Sequence, residues 1–406
     1  MKRRTPLLLS LVILSMLFTS SGCRDRVELS QLGVVSALGI DLASEPGQFE
    51  VTAQMIRPSG VGTSGGPSAG RPFLIVTTTG HSVFDAIRKA TTISSRKLFF
   101  SHERVVIIGR ALAENGIYPI LDLLIRDEEF RPNLKLLVAT GTAKEIIYSV
   151  SEFESVPGIG LAELLRASSA TSAIGLCTLH EFRIALASGP GLQPIASLVD
   201  SVTAATIGDE RSFVGSRVSP EQGGTEQILR LVGTAIFRDD RMVDTLDLVE
   251  SRGYRWVTGQ VDSGVVNIRM PESGKQVDLE IVAAESKVEA KVKGGQPQIE
   301  VLVKATAQVG AQEGSDDLTT LDNLQLVEAV YAAAVQHEIA AVMAKAQLLQ
   351  TDIFGFGDNL RAKQPKAWAK LQESWPQVFE KLPIEITVKT HVDRYGLIST
   401  SNQPEK

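Results

Sequence analysis

Hydrophobic positions in this chain follow two rhythms, one in each half. In the first half, Val34 to Asp41 and Phe49 to Ile56 read as short strands with Pro46 and Gly47 at the turn between them. Residues 57–70 are so rich in Gly, Ser and Pro that they predict a loop or linker. From Phe73 strands and helices alternate. Leu74 to Thr78 is a β-branched run, and Ser82 with Asp85 caps a helix that presents Val83, Ile87 and Ala90 on one face. Val105 to Ile108 reads as a buried strand, Ile117 to Ile125 as a helix, and Leu134 to Ala139 as a third strand. Thr142 and Glu145 form a capping box, as do Thr178 and Glu181, whose helix stops at Gly189-Pro190. Strand–helix alternation of this kind predicts a parallel or mixed sheet with right-handed crossovers.

The second half alternates with period two. Val288, Ala290 and Val292 lead to Gly294-Gly295, and Ile299, Val301, Val303, Ala305, Ala307 and Val309 return. That is a hairpin pattern with one solvated face. Pro383 introduces a further alternating run at Ile384, Ile386, Val388, Thr390 and Val392. Between them, within 319–350, Leu324, Val327, Tyr331, Val335, Ile339, Val342, Ala346 and Leu349 step by three or four residues and predict a long helix lying on the hairpin sheet. The expected fold class is α+β and multidomain, with N-terminal mixed α/β lobes and a C-terminal antiparallel sheet covered by a long helix. The expected divisions are a leader at 1–22, an N-terminal region at 23–205 in two lobes with the alternating lobe at about 73–150, a polar Gly-rich linker at 206–228, and a C-terminal domain at 229–400. Beyond the helix, Phe354 and Phe356 alternate with Gly355 and Gly357. They admit two readings, core plugs beneath a turn or a docking patch for a partner.

The leader changes this picture. Lys2, Arg3 and Arg4 precede an apolar run from Leu7 to Phe18, then Ser20-Ser21-Gly22-Cys23, the layout of a secretory signal. A cysteine after Gly22 makes it similar to a bacterial lipoprotein signal, so Cys23 is the expected lipid attachment site. The run is shorter than the ~20 residues that span hydrocarbon. The whole chain carries 41 basic and 47 acidic residues, and removal of three basic leader residues makes the remainder more acidic still. Such a balance disfavours nucleic acid and leaves membrane attachment to the lipid. With Cys23 acylated, Cys177 is the one remaining thiol, and its apolar surroundings predict a buried, inert side chain.

The catalytic motifs do not complete themselves. His102-Glu103, His180-Glu181 and His337-Glu338 each lack the second histidine one turn on, where Val106, Ile184 and Ala341 stand. Ser64 sits in a G-x-S-x-G pattern without a following helix, and Ser94 to Lys97 fits S-x-x-K without partner motifs. No metal, no cofactor beyond the lipid on Cys23, and no catalytic residue are expected.

Several stretches resemble a known family. Cys23 to Leu29, Val34 to Asp41, Arg96 to His102, Leu124 to Asp127, and above all Thr351-Asp352-Ile353-Phe354-Gly355-Phe356-Gly357-Asp358 with Trp368, Trp375 and Tyr395-Gly396-Leu397-Ile398 are similar to Ger(x)C-type spore germination lipoproteins. Arg24 and Val27 depart from the family's usual Trp and Arg. The resemblance implies a fold of three α+β domains without enzyme architecture. It further implies the C subunit of a nutrient germinant receptor, non-catalytic, lipid-anchored on the outer face of the inner spore membrane. Its expected partners are the integral membrane A and B subunits. The alternative is a substrate-binding lipoprotein of the cell envelope, which would want a cleft between two similar lobes.

Overall fold

The computed structural model describes residues 31–57, 72–102, 104–149, 154, 156–203, 227–314, 317–318 and 320–393. The leader with Cys23, the Ser64 motif, nearly all of the expected linker and the terminal Gly-Leu-Ile lie outside the described residues.

β1 (Leu32–Leu42), β2 (Phe49–Ile56) and β3 (Phe73–Gly80) form an antiparallel meander. α1 (Val83–Ala90) and the short β4 (Lys97–Phe99) follow, and β4 lies parallel to the start of β1. β5 (Val105–Ile108) then pairs parallel with β1. Helices α2 (Arg110–Asn115) and α3 (Tyr118–Arg126) lead to β6 (Lys135–Ala139), which is parallel to β5. α4 (Ala143–Tyr148), α5 (Pro157–Ala167) and α6 (Leu179–Ser188) precede β7 (Ile195–Thr203), parallel to β6. β8 (Gln227–Arg238) and β9 (Arg241–Leu246) close the sheet antiparallel. Nine described strands thus form one mixed sheet in the order β3-β2-β1-β5-β6-β7-β8-β9, with β4 beside β1.

The four parallel strands are apolar on both faces because helices cover both. Leu38, Ile40, Val106, Ile108, Leu136 and Val138 pack with α1, α3 and Phe182 of α6. Their neighbours in sequence, Ala37, Val105, Ile107, Leu137 and Ala139, pack with α4 and α5. Alternate residues pointing to opposite faces account for the continuous apolar run of β5, and each fully buried Val or Ile contributes ~1.5–3 kcal/mol.

α7 (Leu248–Thr258) connects to a second sheet of β10 (Val265–Arg269), β11 (Gln276–Lys293), β12 (Gln296–Gln312) and β13 (Ile384–Asp393). β10, β11 and β12 are antiparallel, with Gly294-Gly295 at the tip of the long hairpin, and β13 joins β12 in parallel register from Ile299↔Ile384 to Gln308↔Asp393. α8 (Leu321–Leu348) lies across this sheet with Val327, Tyr331, Val335, Ile339, Val342 and Ala346 fully buried. By length and composition α8 could cross a membrane, but its apolar stripe is spent on the sheet. The first core continues without a break into this unit.

The large sheet carries on past the expected linker. β8 and β9 follow 206–228 in sequence yet pair onto β7 and β8, so the large sheet runs on to Leu246. A single sheet also spans the region assigned above to two lobes, because β1, β5, β6 and β7 hydrogen-bond in sequence.

Candidate functional site at the junction of the two sheets

The segment that carries the strongest resemblance, residues 351–358, forms the turn between α8 and α9 (Phe356–Lys363). Asp352 organises it and is 1% exposed. Its Oδ1 accepts from the backbone N–H groups of Phe354 (3.2 Å), Gly355 (3.0 Å) and Phe356 (3.2 Å). Its Oδ2 accepts from Gly357 N–H (2.8 Å) and from Trp375 Nε1 (3.0 Å). A carboxylate placed over the orphan donors of a helix start satisfies them all at once. Burial pushes the Asp352 carboxyl up to about 6, while these five donors pull in the opposite direction.

Around this carboxylate the rings pack as a core. Phe356 is fully buried and stacks at 5.1 Å on Phe354, which meets Tyr254 at 6.0 Å. Phe356 also contacts Phe379, and Trp368 meets Trp375 edge-on at 5.2 Å, where α10 (Pro365–Leu371) approaches α11 (Trp375–Glu380). The docking-patch reading of Phe354 and Phe356 therefore gives way to the core reading. Phe356 has no exposed surface to offer, and Phe354 is only part-exposed.

The same turn locks onto the first sheet. Gln193 N–H donates to the Asp352 carbonyl (2.7 Å), Ser188 Oγ donates to Asp358 Oδ2 (2.8 Å), and Arg238 donates to the Leu349 carbonyl. Gly357 packs directly on Gly191, so close that a Cβ on Gly357 would stand 2.5 Å from the Gly191 Cα. Gly357 is therefore demanded by this close approach, and Gly355 by its φ of 74° in the turn.

A second lock joins α7 to α8. Arg252 donates through Nε to Glu338 Oε2 (2.8 Å) and through Nη2 to Oε1, and Trp256 Nε1 donates to the same Oε2 (2.9 Å). Arg255 is 3% exposed and reaches the Ile174 and Gln260 carbonyls and Asp262. Of these charges only Glu338 stood out in the sequence, and there as half of an incomplete metal motif, not as the partner of Arg252. A pattern search looks for sites on one element, whereas these pairs form across elements distant in the chain. The Asp247–Glu250 capping box at the start of α7 was legible by the same rule as the others.

Asp41, at the end of the Val34 to Asp41 motif, does for α4 what Asp352 does for α9. It is buried and accepts from Ala143 N–H (2.8 Å) and Lys144 N–H (2.9 Å). Burial raises its carboxyl above the ordinary range against those two bonds.

The other motif residues also serve the scaffold. Glu181 and Glu145 close their capping boxes, and Glu338 is the partner of Arg252. Ser94 Oγ donates to the Arg96 carbonyl while Lys97 pairs with Glu129. Cys177 is buried, donates to the Thr178 carbonyl, and has its thiol pushed up by burial. Among the described residues no cluster of His, Cys, Asp and Glu has the makings of a metal site. An open groove between α1 and α3 is lined by Phe49, Val83, Phe84, Pro119 and Leu123.

Two family models match this chain: the spore germination protein N-terminal domain over residues 25–201, and the spore germination B3/GerAC-like C-terminal region over residues 232–396. Spore germination protein KC of Bacillus subtilis (strain 168) is 27% identical over 398 residues, covering 96% of this chain and 96% of that protein. Spore germination protein B3 of the same organism is 22% identical over 395 residues, covering 95% and 97%. The crystal structure of the GerBC protein aligns with a TM-score of 0.55 at 17% identity, over 91% of this chain and 99% of that one, and has the same fold. The chain belongs to the GerAC-type spore germination proteins, and its role is in spore germination.

Proposed function

We propose that this protein is the lipid-anchored, non-catalytic C subunit of a nutrient germinant receptor. It stands on the outer face of the inner spore membrane, held by a diacylglycerol-modified Cys23, and works beside the integral membrane A and B subunits. The observation that carries this reading is the way the family's signature is used. The Asp41 and Asp352 motifs, in both matched regions, are spent on capping helices and locking the two sheets together, with no reactive group left at their centre. Motif residues spent on holding the scaffold together suit a subunit whose work is assembly and transmission. The leader ending at Cys23 supports the anchor.

The test is genetic and biochemical together. Spores carrying Cys23→Ala should lose the protein from the membrane fraction and germinate poorly on single nutrients, while germinating normally on a chemical trigger that bypasses receptors. Membrane retention and normal nutrient response of that variant would defeat the reading.

A further inference from the structure

The amino-terminal ends of the parallel strands form one face of the molecule, and the chain emerges from that face. β1 starts at Leu32, and its register partner is Lys97, the first residue of the parallel β4. The segment before Lys97 therefore lies at the end of the sheet where residue 31 enters. The turns before β5 and β6 open on the same end, since both strands are parallel to β1. They are tied to one another there: Lys97 pairs with Glu129 at 3.1 Å, Arg131 Nε donates to the Ser101 carbonyl at 2.8 Å, and Lys135 N–H donates to the Arg104 carbonyl.

The described surface of this face has an unusual composition for an acidic chain. Arg96, Lys97, His102, Arg104 and Arg131 are all exposed on it. Ile93 stands among them at the turn after α1 with 65% of its surface open to solvent. Acidic groups are present too. Glu129 is engaged by Lys97, Arg104 pairs with Glu163 on α5, Asp127 is half-buried, and Glu128 is exposed. An exposed apolar side chain on a face that also carries exposed basic ones fits the headgroup layer of an anionic bilayer, the Ile entering and the cations staying at the phosphates.

We infer that this face, centred on Ile93, Arg96 and Lys97, is apposed to the anionic membrane surface. The inference rests on the lipid-anchor reading. From Cys23 to Leu32 the chain can reach at most ~30 Å even if fully extended, at ~3.3–3.6 Å per residue. The strand end bearing this face is thus the part of the molecule that the anchor holds at the bilayer. The lipid gives attachment, and the face gives orientation.

The experiment uses the full lipidated chain in phosphatidylglycerol-containing vesicles, with Cys177→Ser and a single fluorophore at Ile93→Cys or at Glu45→Cys. Glu45 is exposed in the turn after β1, at the opposite end of the sheet. A headgroup-attached quencher should quench the probe at 93 and spare the probe at 45. Adding Arg96→Glu with Lys97→Glu, or replacing phosphatidylglycerol by phosphatidylcholine, should abolish the difference while the protein stays with the vesicles. Equal quenching at 93 and 45 in a vesicle-bound protein would overturn the proposed orientation and leave the anchor intact. Failure of the protein to float with the vesicles would overturn the anchor and this inference with it.

Discussion

Gly253 on α7 and Glu338 on α8 touch through their backbones: a Cβ on Gly253 would stand 2.2 Å from the Glu338 carbonyl oxygen. The two helices cross there at a distance only glycine permits. The same Glu338 sends its carboxylate to Arg252 and Trp256. One helical turn thus supplies both the steric contact and the charge pair that hold α7 against α8.

Gly253→Ala is expected to destabilise the protein by at least ~1–3 kcal/mol, the usual cost of overpacking, because the obstructing atom is backbone and cannot rotate away. Thermal melting of the full chain checks this. An unchanged midpoint would mean that α7 and α8 separate at no cost.

Glu338→Leu leaves Arg252, whose side chain is 16% exposed, without its partner, and removal of one member of a buried pair costs roughly 3–5 kcal/mol. Arg252→Met in the same chain should recover part of that loss, the share due to the unpaired guanidinium, while the Trp256 N–H stays without its acceptor. Chemical denaturation of the two single variants and the double variant gives the cycle. Additive losses would show that the pair is not coupled.

Phe356→Ala should cost about 3–5 kcal/mol, because the ring is fully enclosed by Phe354, Phe379 and the walls of the turn. Phe354→Ala should cost less, its ring being only part-buried. The comparison is made by melting each variant beside the parent. A stable Phe356→Ala variant that fails to assemble with membrane subunits would restore the docking-patch reading.

The parts of this fold that were legible in advance are those governed by local period. The hairpin of Val288 to Val309, the stripe from Leu324 to Ala346 and the capping boxes at Thr142 and Thr178 follow from spacing alone. Direction and distant partnership do not. Alternation at Ile384 to Val392 is the same for a parallel and an antiparallel neighbour, so the parallel register of β13 on β12 was not readable. Composition marked 206–228 as a break, yet nothing in it announces that β8 returns to β7. Gly189-Pro190 read as a helix stop, and its second use, seating the turn that contains Asp358, depends on residues up to 170 positions away. The Phe-Gly alternation at 354–357 was visible. The reason for it, a buried carboxylate with five donors, lies in geometry that one sequence does not display.

That carboxylate should make the junction pH-sensitive. Burial sets Asp352 at about 6 in the folded state, against an ordinary value of 3.8 in the unfolded chain. The folded protein therefore holds this proton more tightly than the unfolded one. Its contribution to stability is then present in full below about 4 and is lost as the pH rises through about 6. Above that window Asp352 is charged and buried, held by Phe354, Gly355, Phe356, Gly357 and Trp375. Asp352→Asn removes the titration but sets an amide donor against N–H donors, so it should be less stable than the parent throughout. The informative quantity is the difference in melting temperature between parent and Asp352→Asn, followed from pH 4 to pH 8. It should be largest at the acidic end and narrow as the pH passes about 6. A difference that instead widens over that range would mean that the five donors outweigh burial and hold the carboxyl below its ordinary value.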